Sequence, residues 1–254
     1  MIIILSPSKT LSLNNLDSDI SNSTPFFISE ATKLMKELKR WSAEDLEKNM
    51  KLSKELSGVV RKWHLCWHKK DNHVVAGFAM KGEAFKALDL YSLSNEVIEY
   101  SNSRLFILSG LYGALRPCDL VNPFRLEMGQ TYKPYDGAKS LNSFWSKRLI
   151  EFFNAQFEST GSRTLINLAS DEYSKVVLKK ELNSKVINFA FKVETDHGLK
   201  NVSVFSKQAR GAMARYIIEN RIDDLEKLKD FNYLGYRFRP DLSAPDLMTF
   251  TKEK

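Results

Sequence analysis

Residues 105–129 read LFILSGLYGALRPCDLVNPFRLEMG. The opening Leu105-Phe106-Ile107-Leu108 is a short apolar run with the look of a buried strand. The stretch from Ser109 to Gly129 is not an ordinary connection. Ser109-Gly110, Gly113, Arg116-Pro117 and Asn122-Pro123 shape the backbone, while Asp119 and the spaced pair Arg125/Glu127 add charge. Connections between elements usually span about 4–6 residues. A loop this long that mixes turn formers with charges points to a functional role.

Two other stretches repeat the pattern. Met1-Ile-Ile-Ile-Leu5 is followed at once by Ser6-Pro7-Ser8-Lys9-Thr10, and Thr164-Leu-Ile-Asn-Leu168 by Ala169-Ser170-Asp171-Glu172-Tyr173. Continuous aliphatic runs are expected of strands covered on both faces. If the three runs are parallel neighbours, their polar clusters emerge on one edge, where open α/β sheets bind ligands. The expected fold is therefore α/β: a single domain with a mixed or largely parallel central sheet and peripheral helices.

The clusters bring Ser6, Ser8, Lys9, Tyr112, Arg116, Arg125 and Ser170 together with the carboxylates Glu127, Asp171 and Glu172. Residues 6–10 lack the glycines of a phosphate-binding P-loop, so Lys9 with Ser6 and Ser8 is either an anion contact or a polar strand exit. Ser170 and Asp171 are equally readable as a helix cap. Hydroxyls, cations and carboxylates without a histidine suit binding of a phosphate or nucleobase better than a nucleophilic triad. None of His64, His68, His73 and His197 falls in a cluster. Acid–base work, if any, would fall to Glu127, Asp171 or Glu172.

Between these stretches, periodicity predicts helices over 30–41, 42–60, 83–90, 95–100 and 139–158, with Ser42 and Asp45 as an N-terminal cap. Residues 61–70, RKWHLCWHKK, interleave bases and aromatics and read as a basic amphipathic helix with its Trp63/Trp67 pair buried. His64 and His68 share a helical face, but no third metal ligand is specified nearby, and no metal site or cofactor is expected. Val74–Met80 is apolar and ends in Lys81-Gly82, where backbone amides could face a phosphate as in half of a helix-hairpin-helix. Residues 185–192 and 202–205 read as later strands, and Ser206 as the cap of a helix through Arg221. Arg210 lies at the border of that helix's apolar face, placed to reach into a cleft. The domain is expected to span 1–238, with 239–254 a loosely held tail.

The bulk composition agrees with a globular protein: 254 residues, 43% hydrophobic and 27% charged. A net charge of +7 favours a polyanionic partner. No run approaches the ~20 apolar residues of a membrane span. The five apolar N-terminal residues lack a basic region and a cleavage site, so they read as a first strand and not a signal peptide. Two cysteines, Cys66 and Cys118, cannot build a disulfide framework. Both points are consistent with a cytoplasmic protein without a membrane partner.

Five segments carry a family resemblance. LSPSKTL at 5–11, LSGLYGALRP at 108–117, NPFRLEMG at 122–129, NLASDEYSK at 167–175 and ARGAMARYIIENR at 209–221 closely resemble the YaaA family of bacterial peroxide stress proteins, from the first residue to about Tyr236. The resemblance implies a protein that limits free-iron damage during hydrogen peroxide stress. It also implies DNA binding, an unusual α/β fold, a basic cleft and a helix-hairpin-helix element, which would lie around Lys81-Gly82 here. No catalytic residue comes with it. The leading expectation is DNA bound mainly through phosphates, with Lys9, Lys81, Arg116, Arg125, Lys175, Arg210 and Arg215 as contacts. The alternative is an enzyme acting on a nucleotide or nucleobase in the same cleft. Direct iron sequestration, which would need a carboxylate site, ranks third.

Overall fold

The computed structural model describes residues 1–13, 20–67 and 72–253. Three strands form its centre, buried throughout except for the half-buried Thr164: β1 (Ile2–Leu5), β3 (Leu105–Ser109) and β6 (Thr164–Leu168). Ile2, Ile3 and Ile4 are wholly inaccessible, as a strand covered on both faces requires. β1 lies between the other two and is parallel to both, with Leu5 opposite Ile107 on one side and Leu168 on the other. The three polar clusters therefore leave the sheet at a common edge.

Among the described residues, the main sheet runs β4-β3-β1-β6-β7-β10-β9, with β8 hairpinned onto β7. Here β4 is Gly113–Leu115, β7 Lys185–Thr195, β8 Gly198–Lys200, β9 Arg237–Phe238 and β10 Leu247–Glu253. The pairs β3/β1, β1/β6, β6/β7 and β7/β10 are parallel, and the outer pairs antiparallel. The chain steps from β1 to β3 on one side and returns through β6 on the other. This makes the β1/β6 crevice the topological switch point, the usual ligand position in such sheets. A separate small ribbon pairs β2 (Val74–Val75) with β5 (Leu120–Val121).

The helices match their sequence signals with local differences, except that the run expected as one helix over 42–60 is broken into two, Lys51 turning left-handed and Ser53 capping the second. α1 spans Ile28–Leu38, and α2 (Ala43–Met50) opens with a full capping box between Ser42 and Asp45. α3 covers Lys54–Leu65 and takes in the first five residues of the basic aromatic stretch, with Cys66 as its C-cap. Trp67 is buried and Trp63 partly buried beyond and within it. His68, the other half of the considered histidine pair, lies outside the described residues. α4 (Ala76–Ala79) and α5 (Glu83–Leu88) flank Met80-Lys81-Gly82, and α6 is Asn95–Asn102. α7 (Leu141–Thr160) buries its aromatic stripe, with Trp145 Nε1 donating to Gly110 O at 2.8 Å. That ring presses on Gly113, whose φ of +70° and lack of a side chain let the β3–β4 hairpin turn beneath it.

Two expectations are corrected. Residues 202–205 are not a strand but the start of α9 (Ser203–Glu219), and Ser206 is buried in the helix, donating to Phe191 O at 3.0 Å. That bond fixes the helix to β7, so the hydroxyl serves as an anchor to the sheet. The C-terminal segment is likewise not a loose tail. β10 pairs with β7 along seven residues and with β9 through Phe250 and Thr251, and Met248 and Phe250 are buried. The prolines at 240 and 245 shape the loop before the strand and leave the strand itself untouched. In hydrogen exchange, amides of 248–251 are expected to be as protected as those of β7, whereas a loose end would exchange at near-random-coil rates.

No helix among the described residues is long and apolar enough to cross a membrane.

Candidate functional site

At the β1/β6 crevice the two exit loops are tied together. Ser6 Oγ accepts the Ser170 N–H at 2.8 Å and donates to Ser170 Oγ at 3.1 Å. The first loop then zips onto the α4–α5 turn: Ser8 Oγ donates to Lys81 O at 2.9 Å, and Lys81 N donates to Thr10 O at 2.9 Å. Gly82 lies so close to Ser8 that a Cβ would stand 2.8 Å from its hydroxyl. α5 is pressed in turn on α9, where Gly211 faces the Ala84 carbonyl. Hydrogen bonds and one tight helix seam thus hold four segments around a cleft of about 560 Å³.

The cleft is lined by five cations, Lys9, Lys81, Lys86, Lys207 and Arg210, against two carboxylates, Glu83 and Glu172. Both carboxylates are engaged. Glu83 takes Lys86 Nζ and Gln208 Nε2, each at 2.7 Å, and these bonds hold its pKa below the ordinary value. Glu172 Oε1 accepts Gly129 N at 3.0 Å. Arg210 differs: it is half-buried and makes no hydrogen bond or ion pair among the described residues. Burial depresses its pKa, opposed by the charge of Asp171, which stays beyond ion-pair distance on the exposed first turn of α8 (Asp171–Ser174).

An adjoining hollow of about 430 Å³ shares Lys9 and Glu172 with the cleft and adds Arg125 and Glu127. Lys9 Nζ lies 2.5 Å and Arg125 Nη2 3.1 Å from opposite oxygens of Glu127. Arg125 also reaches Lys9 O at 3.5 Å, while its Nε is buried without a partner among the described residues. Among the described residues, no group of three or more His, Cys, Asp or Glu side chains is placed to hold a metal ion.

The sequence that builds this site is similar to that of known proteins. Residues 1–242 match the family described as peroxide stress protein YaaA, and all five segments that carry the resemblance fall inside that match. The chain belongs to the YaaA family. Two similar proteins extend the likeness over essentially the whole chain. A UPF0246 protein of Francisella tularensis subsp. novicida is 38% identical over 99% of this chain and 100% of its own length. A UPF0246 protein of Clostridium perfringens is 41% identical over 100% of both.

In this YaaA-family structure, Ser6, Ser8, Lys9, Lys81, Gly82, Ser170, Glu172 and Arg210 gather on the cleft, with Arg125 and Glu127 beside it. Five other candidates stand elsewhere, one of them Asp171, exposed on α8 and lining neither hollow. Tyr112 is fully buried, its ring between Trp67 and Phe124 and its hydroxyl accepting Asn122 N at 3.1 Å; burial pushes its pKa up. Arg116 is taken up by buried Asp119, by Thr24 O at 2.7 Å and by the Phe26 ring. Arg215 sits five residues beyond Arg210, turned away from the cleft, and closes the end of α5 through Asp89 O at 2.9 Å and Ser92 Oγ at 2.7 Å. Lys175 is exposed past α8 and does not line the cleft. Two cleft cations were not singled out from the sequence. Lys207 precedes Arg210 by three residues, the spacing of one helix face, and that phase could have found it. Lys86 carries no such mark.

His64 supports the site from behind. It is buried on α3, and its Nε2 accepts the Arg125 N–H at 3.4 Å, leaving Nδ1 as the protonated nitrogen with no partner among the described residues. Desolvation lowers its pKa to about 4. The unfolded chain takes up a proton near pH 6.5 that the folded ring resists, so stability is full above that pH and declines toward pH 4. At pH 5 the expected loss from this residue is about 2 kcal/mol relative to pH 7. Urea midpoints against pH should show it, and His64→Gln should flatten the curve; an unchanged slope in the variant would assign the acid sensitivity to other groups.

Proposed function

We propose that this protein serves peroxide-stress defence by binding DNA through the β1/β6 cleft, chiefly by phosphate contacts, so that DNA is shielded from iron-driven oxidation. The observation that supports this reading is the charge arrangement of the cleft. Cations from three separate segments (the β1 loop, residues 81–86 and α9) face one opening, while both lining carboxylates already have donors. Such a patch favours an anionic backbone irrespective of sequence. Lys81, on the turn between α4 and α5, would supply the contact of a helix-hairpin-helix-like element. The test is a titration of labelled duplex DNA at rising salt; affinity that stays flat would overturn the reading.

A second reading, an enzyme acting on a nucleotide, is favoured by one feature. The Lys9–Glu127–Arg125 cluster sets a carboxylate between two cations at the mouth of the adjoining hollow. Nonspecific phosphate binding has no need of that carboxylate.

A further inference from the structure

The cleft has a shape that DNA binding along a rim does not call for. Its volume of about 560 Å³ falls within the size range of small-molecule sites, and a double helix is too wide to enter it. Its walls are of two kinds. Leu5, Leu168, Phe85 and Tyr173 contribute apolar surface, while hydroxyls and cations line the remainder. One wall is built by α9, where Lys207 and Arg210 lie three residues apart on the same face.

Arg210 is the telling residue. A half-buried guanidinium gives up hydration and ordinarily recovers it through a carboxylate or carbonyl. None is supplied among the described residues: Glu83 is bound by Lys86 and Gln208, Glu172 by Gly129 N, and Asp171 stays outside ion-pair distance. Nor is the side chain free to swing out with its helix, because Gly211, the next residue, is locked against Ala84. The other walls are held by the Ser6–Ser170 and Ser8–Lys81 bonds. This is a cationic group carried by a fixed helix at the side of a nucleotide-sized cavity.

We infer that the cleft takes a single nucleoside monophosphate unit, its phosphate against Arg210 and Lys207 and its base or sugar along the apolar wall. The inference rests on the reading of the cleft as a phosphate-binding site and narrows it from a backbone track to a one-nucleotide pocket. The unit has two possible sources, a free mononucleotide or a terminal or unpaired nucleotide of a strand.

Calorimetric titration of the full chain with dAMP and dTMP, with inorganic phosphate and with the unphosphorylated nucleosides tests it. A mononucleotide should bind saturably, about tenfold or more tighter than phosphate or nucleoside alone. Arg210→Gln should weaken it by about tenfold or more, the loss of one charge-assisted contact, and Lys207→Ala less. Should Arg210→Gln fail to fold by circular dichroism, Arg210→Lys serves, since loss of the planar fork should still weaken binding. Displacement of a labelled 5′-phosphorylated single strand by the mononucleotide identifies a strand as the source; mononucleotide binding without displacement identifies a free nucleotide. Absence of mononucleotide binding at millimolar concentration, with salt-sensitive duplex binding intact, overturns the pocket and leaves the DNA reading standing. Absence of both overturns both.

Discussion

Replacing Gly211 with alanine is expected to lower the unfolding free energy by about 3–5 kcal/mol and to abolish ligand binding at the cleft. In isolation the change should do the opposite. Alanine is the better helix former by about 1 kcal/mol, and α9 is a regular helix through this position. The seam reverses the sign. A Cβ on Gly211 would stand 1.8 Å from the Ala84 carbonyl oxygen and 2.6 Å from its carbon. Both atoms are backbone, so no rotamer relieves the overlap, and α5 as a whole must move off α9. With α5 go Lys86 and the adjoining Gly82, Lys81 and Ser8 that form the cleft wall. Urea denaturation checks the magnitude. Gly58→Ala, in α3 with nothing within 4 Å of the added carbon, is the control and should gain about 0.5–1 kcal/mol. If both variants gained stability, the close approach of α5 and α9 would be wrong.

Duplex DNA affinity is expected to fall by roughly 10²–10³ when salt is raised about fourfold from low to physiological levels. Five lining cations displace at most about five counterions, Lys9 and Lys86 by exchanging Glu127 and Glu83 for phosphate, so the slope is no steeper than about −4.5 in log–log form. Affinity then drops by up to several hundredfold over that interval. Lys81→Ala should reduce the slope by about one without altering sequence preference, since phosphate contacts position and do not specify. Arg116→Ala and Arg215→Ala separate the cleft from general basicity. Both arginines are consumed by internal partners, and their loss should change stability while leaving the slope unchanged. A slope that fell equally for Arg215→Ala would place DNA on a different face.

These arginines mark the limit of what the chain discloses in advance. Arg116 and Arg125 stand in the same loop with the same chemistry, yet one is held against buried Asp119 and the other borders the cleft. Tyr112 belongs to the same glycine-rich stretch and points into the core, because the β3–β4 hairpin turns its ring inward under Phe124. On α9, Arg210 and Arg215 look alike among the basic residues. Helical phase and the position of α5 send one into the cleft and the other to the end of a neighbouring helix. Residues 202–205 misled for a related reason: three of the four are β-branched or aromatic and look like a strand until a helix is seen to start among them.

Burial on both faces admits little except aliphatic side chains, so β1, β3 and β6 announced themselves as unbroken apolar runs, and the parallel α/β class with polar loops at one edge came from the chain alone. Local capping chemistry did the same for α2. Partners distant in sequence could not be inferred in this way. Whether a charged group is spent internally or left facing solvent depends on what packs beside it, and that is decided by the β1/β6 switch point, the α5–α9 seam and the pairing of β10. Only folding places Lys9, Lys81, Lys207 and Arg210 around one opening, because a cleft is a property of surfaces brought together and not of any segment that forms them.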